Sequence, residues 1–333
     1  MKKSKMTAAF LAAVLPASLC LTGCFGFMNS FGYTYENADK YTAGNREITE
    51  KITAINLDYV SGDVTVKGSD TDTVKVDETS NKPLDEEHKV HTWVNDGILY
   101  VRYCASSNMI SFNNISKELE ITLPESQALD SFIIKVSSGD TTIRNTTTDS
   151  LNVHSSSGNM NLELSASTIE LKASSGNIFL NQDGKCDSVD VHSSSGNVAL
   201  NLCGACDKTK IHASSGSVDV KATKINDLDV DVSSGDITIY AEDAKNLTTK
   251  ASSGKSDITL VKIPEKSKIS CSSGGIGIRL PEVSDLTITA NITSGDFDSE
   301  FPFIKDGKNY ICGDGSNSME IHASSGDVKI LKK

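Results

Sequence analysis

Beyond its first two dozen residues the chain has no long apolar run. Ala8 to Leu21 form the one such stretch, so no later segment is predicted to cross a membrane as a helix. Basic excess is missing as well: 32 Lys and Arg stand against 44 Asp and Glu, a net charge of −12 at pH 7. A phosphate backbone is neutralised by clustered Lys and Arg, which excludes nucleic acid as a partner. The same charge disfavours broad adsorption to anionic lipid. The outward positions mix Asp, Lys, Thr and Asn without a clear acidic pair, and Ser is too abundant for its nearness to a His to define a triad. The nine-residue, paired-glycine repeat of calcium-binding β-rolls is absent too. No cofactor is implied.

What the chain does have is a Ser-Ser-Gly tripeptide that returns about every twenty residues. Its glycines are Gly139, Gly158, Gly176, Gly196, Gly216, Gly235, Gly254, Gly274 and Gly326, with a Thr-Ser-Gly copy at Gly295 and a shorter Ser-Gly copy at Gly62. From Gly139 onward the gaps are 19, 18, 20, 20, 19, 19, 20, 21 and 31 residues. A fixed period of this size means one small unit stacked many times.

Mostly apolar residues stand seven and five positions before the glycines, as in Phe132 and Ile134 or Ile169 and Leu171, with Thr209, Thr249 and Ser267 as polar exceptions, and small or apolar ones stand three before them. Two and four residues after them come pairs such as Met160 and Leu162 or Val198 and Leu200. Intervening positions are polar, the alternation of a strand with one buried face. Each repeat therefore reads strand, Ser-Ser-Gly-Asp/Asn corner, strand, variable loop. Glycine suits the corner because it tolerates positive φ, and Asp or Asn bonds nearby backbone. The serine columns are expected to stack as hydroxyl ladders at the corner. One repeat cannot bury its apolar face alone, but a stack can. The prediction is an all-β, single-domain β-solenoid, parallel β-helix-like, with about 20 residues and two short strands per coil. Right-handed coiling follows from the general rule for parallel crossovers. Ten coils make a rod of roughly 48 Å.

Three regions break the repeat. Residues 67–130 hold irregular strands, with Asn95-Asp96-Gly97 as a hairpin turn signal, and suggest a cap on one continuous solenoid spanning 46–333. An insertion near 301–315 is either a loop carrying specificity or a cap on the open sheet edge. The third is Cys203-Gly204-Ala205-Cys206.

The cysteines allow several readings. Cys186 and Cys206 occupy equivalent positions in consecutive coils, where the strand spacing falls inside the disulfide window, so a Cys186–Cys206 bridge is predicted. Alternatives are redox work by the Cys-x-x-Cys or three metal thiolates including Cys186. The redox state of Cys104, Cys203, Cys271 and Cys312 is left open, with Cys271 in an inward column. His154, His192, His212 and His322 share one outward column, and only the middle two lie in adjacent coils. A solvated face explains them better than a metal site, for which no third ligand is evident. The corner acids Asp63, Asp140, Asp236, Asp296 and Asp327 read as structural turn residues.

At the N-terminus, Lys2, Lys3 and Lys5 precede the apolar stretch, as in a secretory signal. Leu21-Thr22-Gly23-Cys24 then resembles the bacterial lipobox, which implies a lipoprotein signal peptide over 1–23 and lipid on Cys24. An ordinary cleaved signal and a start-anchored helix are the alternatives. Loss of residues 1–23 would leave a net charge of −15. Residues 24–45, with three each of Gly, Asn and Tyr and no sustained periodicity, read as a flexible tether. The chain is thus expected to be extracytoplasmic, held to the membrane by its lipid.

Ser-Gly-Asp-Val-Thr-Val at 61–66, Asp96 to Val101, Leu119 to Pro124 and the serial Ser-Ser-Gly-Asp copies together resemble the bacterial adhesin-like, or toast-rack, family over residues 50–333. The resemblance implies a β-solenoid on cell-envelope proteins and suggests adhesion; it supplies no catalytic residue. The leading expectation is a lipid-anchored, non-enzymatic surface protein that binds an envelope or extracellular protein or glycan. Some toast-rack relatives occur in envelope-stress systems, so a scaffold binding a membrane protein is an alternative. A polysaccharide-active β-helix enzyme is a third.

Overall fold

The computed structural model describes residues 32–109, 115–283 and 285–333. The stretch expected to be a signal peptide, and Cys24, lie outside them. Strands stack in parallel over most of the length, each coil pairing in register with the next; Leu171, Val191, Ile211 and Val230 form one such column and are almost completely buried. The chain is a β-solenoid whose two walls meet at the glycine corner. Where the second bend is gentle, both walls form one continuous ladder, as in Val218–Ser234 and Ile237–Ser253. Where it is sharp they separate into two strands, as in Ile178–Gln182 and Cys186–Ser195.

The corner has a specific construction. At Gly216 φ is +108°, and a Cβ there would stand 2.2 Å from the carbonyl oxygen of Gly196 one coil below. Side-chain-bearing residues are excluded both by conformation and by the approach of the neighbouring backbone. The expected serine ladder is not what binds the corners: pairs such as Ser194–Ser195 and Ser233–Ser234 face solvent. The residue after the glycine does that work. The backbone N–H of Asp140 donates to Asp63 Oδ1, Asn159 to Asp140 Oδ1, Asn177 to Asn159 Oδ1, Asn197 to Asn177 Oδ1 and Ser217 to Asn197 Oδ1, at 2.7–3.0 Å. Asp and Asn recur there because a short side-chain acceptor reaches exactly one coil's spacing.

Both ends depart from chain order. Ala54–Ser61 and Asp63–Ser69 are sandwiched between Ala128–Ser138 and the start of Thr141–Ser157 on one side and Ile98–Arg102 and Lys117–Pro124 on the other. Beyond that level the pairing turns antiparallel. His91–Asn95 closes one wall through the Asp96–Gly97 turn, and Val74–Ser80 closes the other. Thr42–Ala43 and Arg46–Ile48 lie outermost. The irregular region is a cap, and residues 32–43, expected as part of a flexible tether, pack on the domain instead.

At the far end Lys266–Ser273 pairs with Asn317–Ser325, and Leu286–Ser294 lies outside that strand. The last coil in sequence is thus inserted beneath the one that precedes it. The 301–315 segment forms the hairpin Ile304–Asp306 and Asn309–Cys312, which covers the edge of Leu286–Ser294 antiparallel. In that position the insertion covers the sheet edge and its residues also line the end of the rod.

Candidate functional site

The regular coils place their chemistry where it serves the stack. The corner carboxylates accept backbone N–H groups from neighbouring coils. His192 and His212 are neighbours, ring centroids 6.1 Å apart, and His192 Nε2 lies 3.2 Å from Asp190 Oδ1. His322 instead meets Glu320 at 2.8 Å. His154 is half-buried, and desolvation, followed by the Lys172 charge, lowers its pKa. Among the described residues no group of three His, Cys, Asp or Glu side chains is placed to hold a metal ion.

Cys186 and Cys206 are register partners with Cα atoms 4.6 Å apart, and the structure joins them as a disulfide in the interior. Gly204 explains the Cys-x-x-Cys spacing. A Cβ there would meet the Gly184 carbonyl oxygen at 2.1 Å, so it is a second-corner glycine stacked on another. The bend sends Cys206 inward and leaves Cys203 exposed. One coil below, Gln182 is fully buried; its amide donates to Ala166 O at 2.8 Å and accepts from Ala166 N at 3.1 Å. Cys104 and Cys271 are buried thiols and Cys312 is half-buried.

The N-terminal cap holds a sealed polar cluster that the sequence reading missed. Lys117 Nζ lies 2.7 Å from Glu78 Oε1, with those side chains 1% and 3% exposed. The ammonium also donates to the carbonyls of Tyr103 and His88, both at 2.6 Å, and stands 4.0 Å from the Tyr103 ring centroid. Glu78 accepts from the Tyr59 hydroxyl and the Val90 N–H, each at 2.8 Å. Burial lowers the Lys117 pKa against the pull of Glu78. Burial also raises Tyr59 far above its ordinary value, Tyr103 to about 12 and Cys104 to about 11. Perturbed groups often mark active sites. Here they are shut in with their partners and pin the antiparallel cap to the first coils.

The other end is open. The hairpin and the outermost coil enclose a cleft of about 540 Å³ lined by Ile292, Phe297, Asp298, Lys305, Lys308 and Tyr310. Phe297 and Tyr310 stack with centroids 3.8 Å apart, and Lys305 Nζ lies 5.3 Å from the Tyr310 centroid. Lys308 Nζ bonds Asn291 Oδ1 at 2.7 Å. Beside it Ile304 is 74% exposed on the hairpin. The lining is mostly polar, with Asp296, Asp298, Lys305 and Lys308 around the two stacked rings, so the cleft offers charged and hydrogen-bonding groups beside an aromatic face.

Among solved structures, the chain is similar to several bacterial proteins at low identity. A candidate adhesin from Parabacteroides distasonis shares 15% identity, with 87% of this chain and 97% of that one covered and a TM-score of 0.40. A candidate cell-adhesion protein from Clostridium sporogenes shares 13%, covering 87% and 100%, with a TM-score of 0.21. A candidate lipid-binding protein from Parabacteroides distasonis shares 16%, covering 88% and 97%, with a TM-score of 0.31. No curated protein matches. Residues 52–262 and 163–331 match the family described as Toastrack DUF4097, and those two spans take in most of the chain: it belongs to that family.

Proposed function

We propose that the protein is a lipid-anchored, extracytoplasmic binding protein, adhesin-like and non-enzymatic, that presents its C-terminal end to an envelope or extracellular ligand. The observation that carries this reading is the cleft at the tip. It lies at the end of the rod opposite the cap where the chain enters, and it joins a stacked aromatic pair, two lysines and the exposed Ile304. An anchor at Cys24 would hold the cap near the membrane and turn the tip outward. The non-enzymatic reading is supported by the placement of the strongly shifted groups, which lie within the cap and on its outer wall, none of them facing the cleft. No helix among the described residues is long and apolar enough to cross a membrane, which is consistent with anchoring by lipid.

The test is capture of ligands from envelope extracts and a glycan array by the Cys24→Ser chain, compared with the same chain carrying Tyr310→Ala. Binding that falls at least about tenfold on that substitution supports the tip as the site. A membrane protein that co-purifies equally with both chains would instead favour an envelope scaffold using another face. Turnover of a polysaccharide, abolished by one carboxylate substitution, would overturn the non-enzymatic reading.

A further inference from the structure

The segment that leads into the domain is fastened to the outside of the cap. Gly32–Tyr33 pairs with Asn108–Met109, and Thr42–Ala43 pairs with Thr92 and His91. The Tyr33 hydroxyl donates to the Asp58 carbonyl and the Tyr35 hydroxyl to the Cys104 carbonyl, both at 3.0 Å. This lays a file of rings across the outer wall. Tyr33, Tyr35, Tyr41, Trp93 and Tyr100 follow in contact, successive centroids 4.7–5.6 Å apart. Arg102 extends over three of them, its guanidinium carbon 5.5–5.9 Å from their centroids. Trp93 and Tyr100 point outward because the alternate residues Thr92, Leu99 and Val101 are the buried ones. All five rings stay part-exposed.

The clasp also fixes where the N-terminus leaves. With Gly32 held on this wall, eight residue steps separate it from Cys24, a reach of at most about 29 Å. A segment loose as far as Arg46 would reach about 79 Å. A lipid on Cys24 would therefore keep this wall close to the bilayer. Its amphipathic rings and its snorkelling arginine are the side chains that settle at the headgroup level of a membrane.

We propose that this aromatic face of the cap is a membrane-interface seat, on which Tyr41, Trp93 and Tyr100 rest among the lipid headgroups while the rod projects away. The proposal rests on the lipid-anchor reading above and goes beyond it, because it adds a protein contact to the lipid one. The seat works by burial of the rings, with the Arg102 guanidinium kept at the polar headgroup level, so it does not depend on the overall charge, which opposes adsorption.

Trp93 is the single tryptophan of the chain, so its fluorescence reports this face alone. The mature chain is reconstituted into phosphatidylethanolamine–phosphatidylglycerol vesicles, with the Cys24→Ser chain in solution as reference. Anchoring is read separately, from the mass of the N-terminal peptide and from flotation with the vesicles. The expected result is an acrylamide quenching constant at least about threefold lower on vesicles, together with quenching by phospholipids brominated near the headgroup end of the acyl chain. A lipid-bearing chain that floats while Trp93 stays open to acrylamide and unquenched by bromine overturns the seat and leaves the anchor standing. A chain with no lipid that does not float removes the anchor, and the seat falls with it. Trp93 emission that responds to soluble oligosaccharides but not to brominated lipid assigns the face to glycan and likewise overturns the proposal.

Discussion

Replacing Gly216 by Ala isolates the corner's physics in one methyl group. The new Cβ would stand 2.2 Å from Gly196 O and 2.6 Å from Gly196 C, about an ångström inside the contact distance of about 3.5 Å. The obstacle is backbone, held by the ladder on both sides, so the coils must part locally. Two hydrogen bonds cross that interface, Val198 N–H to Ser217 O and Ser217 N–H to Asn197 Oδ1, each at 2.9 Å. Losing both costs about 1 kcal/mol each. The φ of +108° adds strain of about 1–3 kcal/mol for a residue with a side chain. The sum is about 3–5 kcal/mol, a fall in melting temperature of roughly 6–10 °C at about 2 °C per kcal/mol. Gly307→Ala is the control: φ is +60° and nothing lies within 4 Å, so its cost should be near 1 kcal/mol. Thermal and urea melts followed by far-UV circular dichroism compare the two. If Gly216→Ala costs no more than Gly307→Ala, the stacked-corner account is wrong.

Thr249 is fully buried in a column of Val and Ile, and its hydroxyl has no hydrogen-bond partner; Thr249→Val should stabilise the chain by about 1 kcal/mol in urea melts, and a loss of stability would show the hydroxyl to be bonded. The cap should be the alkali-sensitive part. Burial raises Cys104 from 9.0 to about 11 and Tyr35 and Tyr103 from 10.0 to about 12, so at high pH the folded state holds protons that the unfolded chain releases. That stability is complete below pH 9 and lost from about pH 9 to 12, while Lys117, lowered by burial, contributes with the opposite sign below 10.5. Tyrosinate absorbance should therefore lag an ordinary tyrosine's and rise together with cap unfolding; titration of all tyrosines near pH 10 in a folded protein would contradict it. Intact mass after alkylation of denatured mature chain should show four free thiols besides Cys24, and six after reduction; six without reductant would sink the Cys186–Cys206 bridge. Opening that loop of about twenty residues should cost about 3 kcal/mol.

The repeat columns made the interior legible because each position keeps one environment through the stack. The same regularity hid the order of the end coils. Gly326 follows Gly295 in sequence and precedes it in space, and the signal was there in Ser299. The outermost coil carries that polar residue where its neighbours carry Ile278 and Ile330, as a wall with one neighbour can. The hairpin turn at Asp96–Gly97 was readable from dipeptide chemistry. The Lys117–Glu78 pair was not, since two residues far apart in sequence meet only after Val74–Ser80 and Lys117–Pro124 pair. The clasp was missed for a related reason: tyrosines in an aperiodic segment look like tether until strand pairing gives them a wall. The tip cleft likewise depends on which coil is outermost.

The most direct measurement of the functional account is ligand capture by the Cys24→Ser chain with and without Tyr310→Ala, both shown to be folded by circular dichroism. The account expects one ligand class to be retained by the parent chain and by a Trp93→Phe variant, and to be lost at least about tenfold with Tyr310→Ala. Equal capture by the Tyr310→Ala chain would contradict it and move the binding face away from the tip.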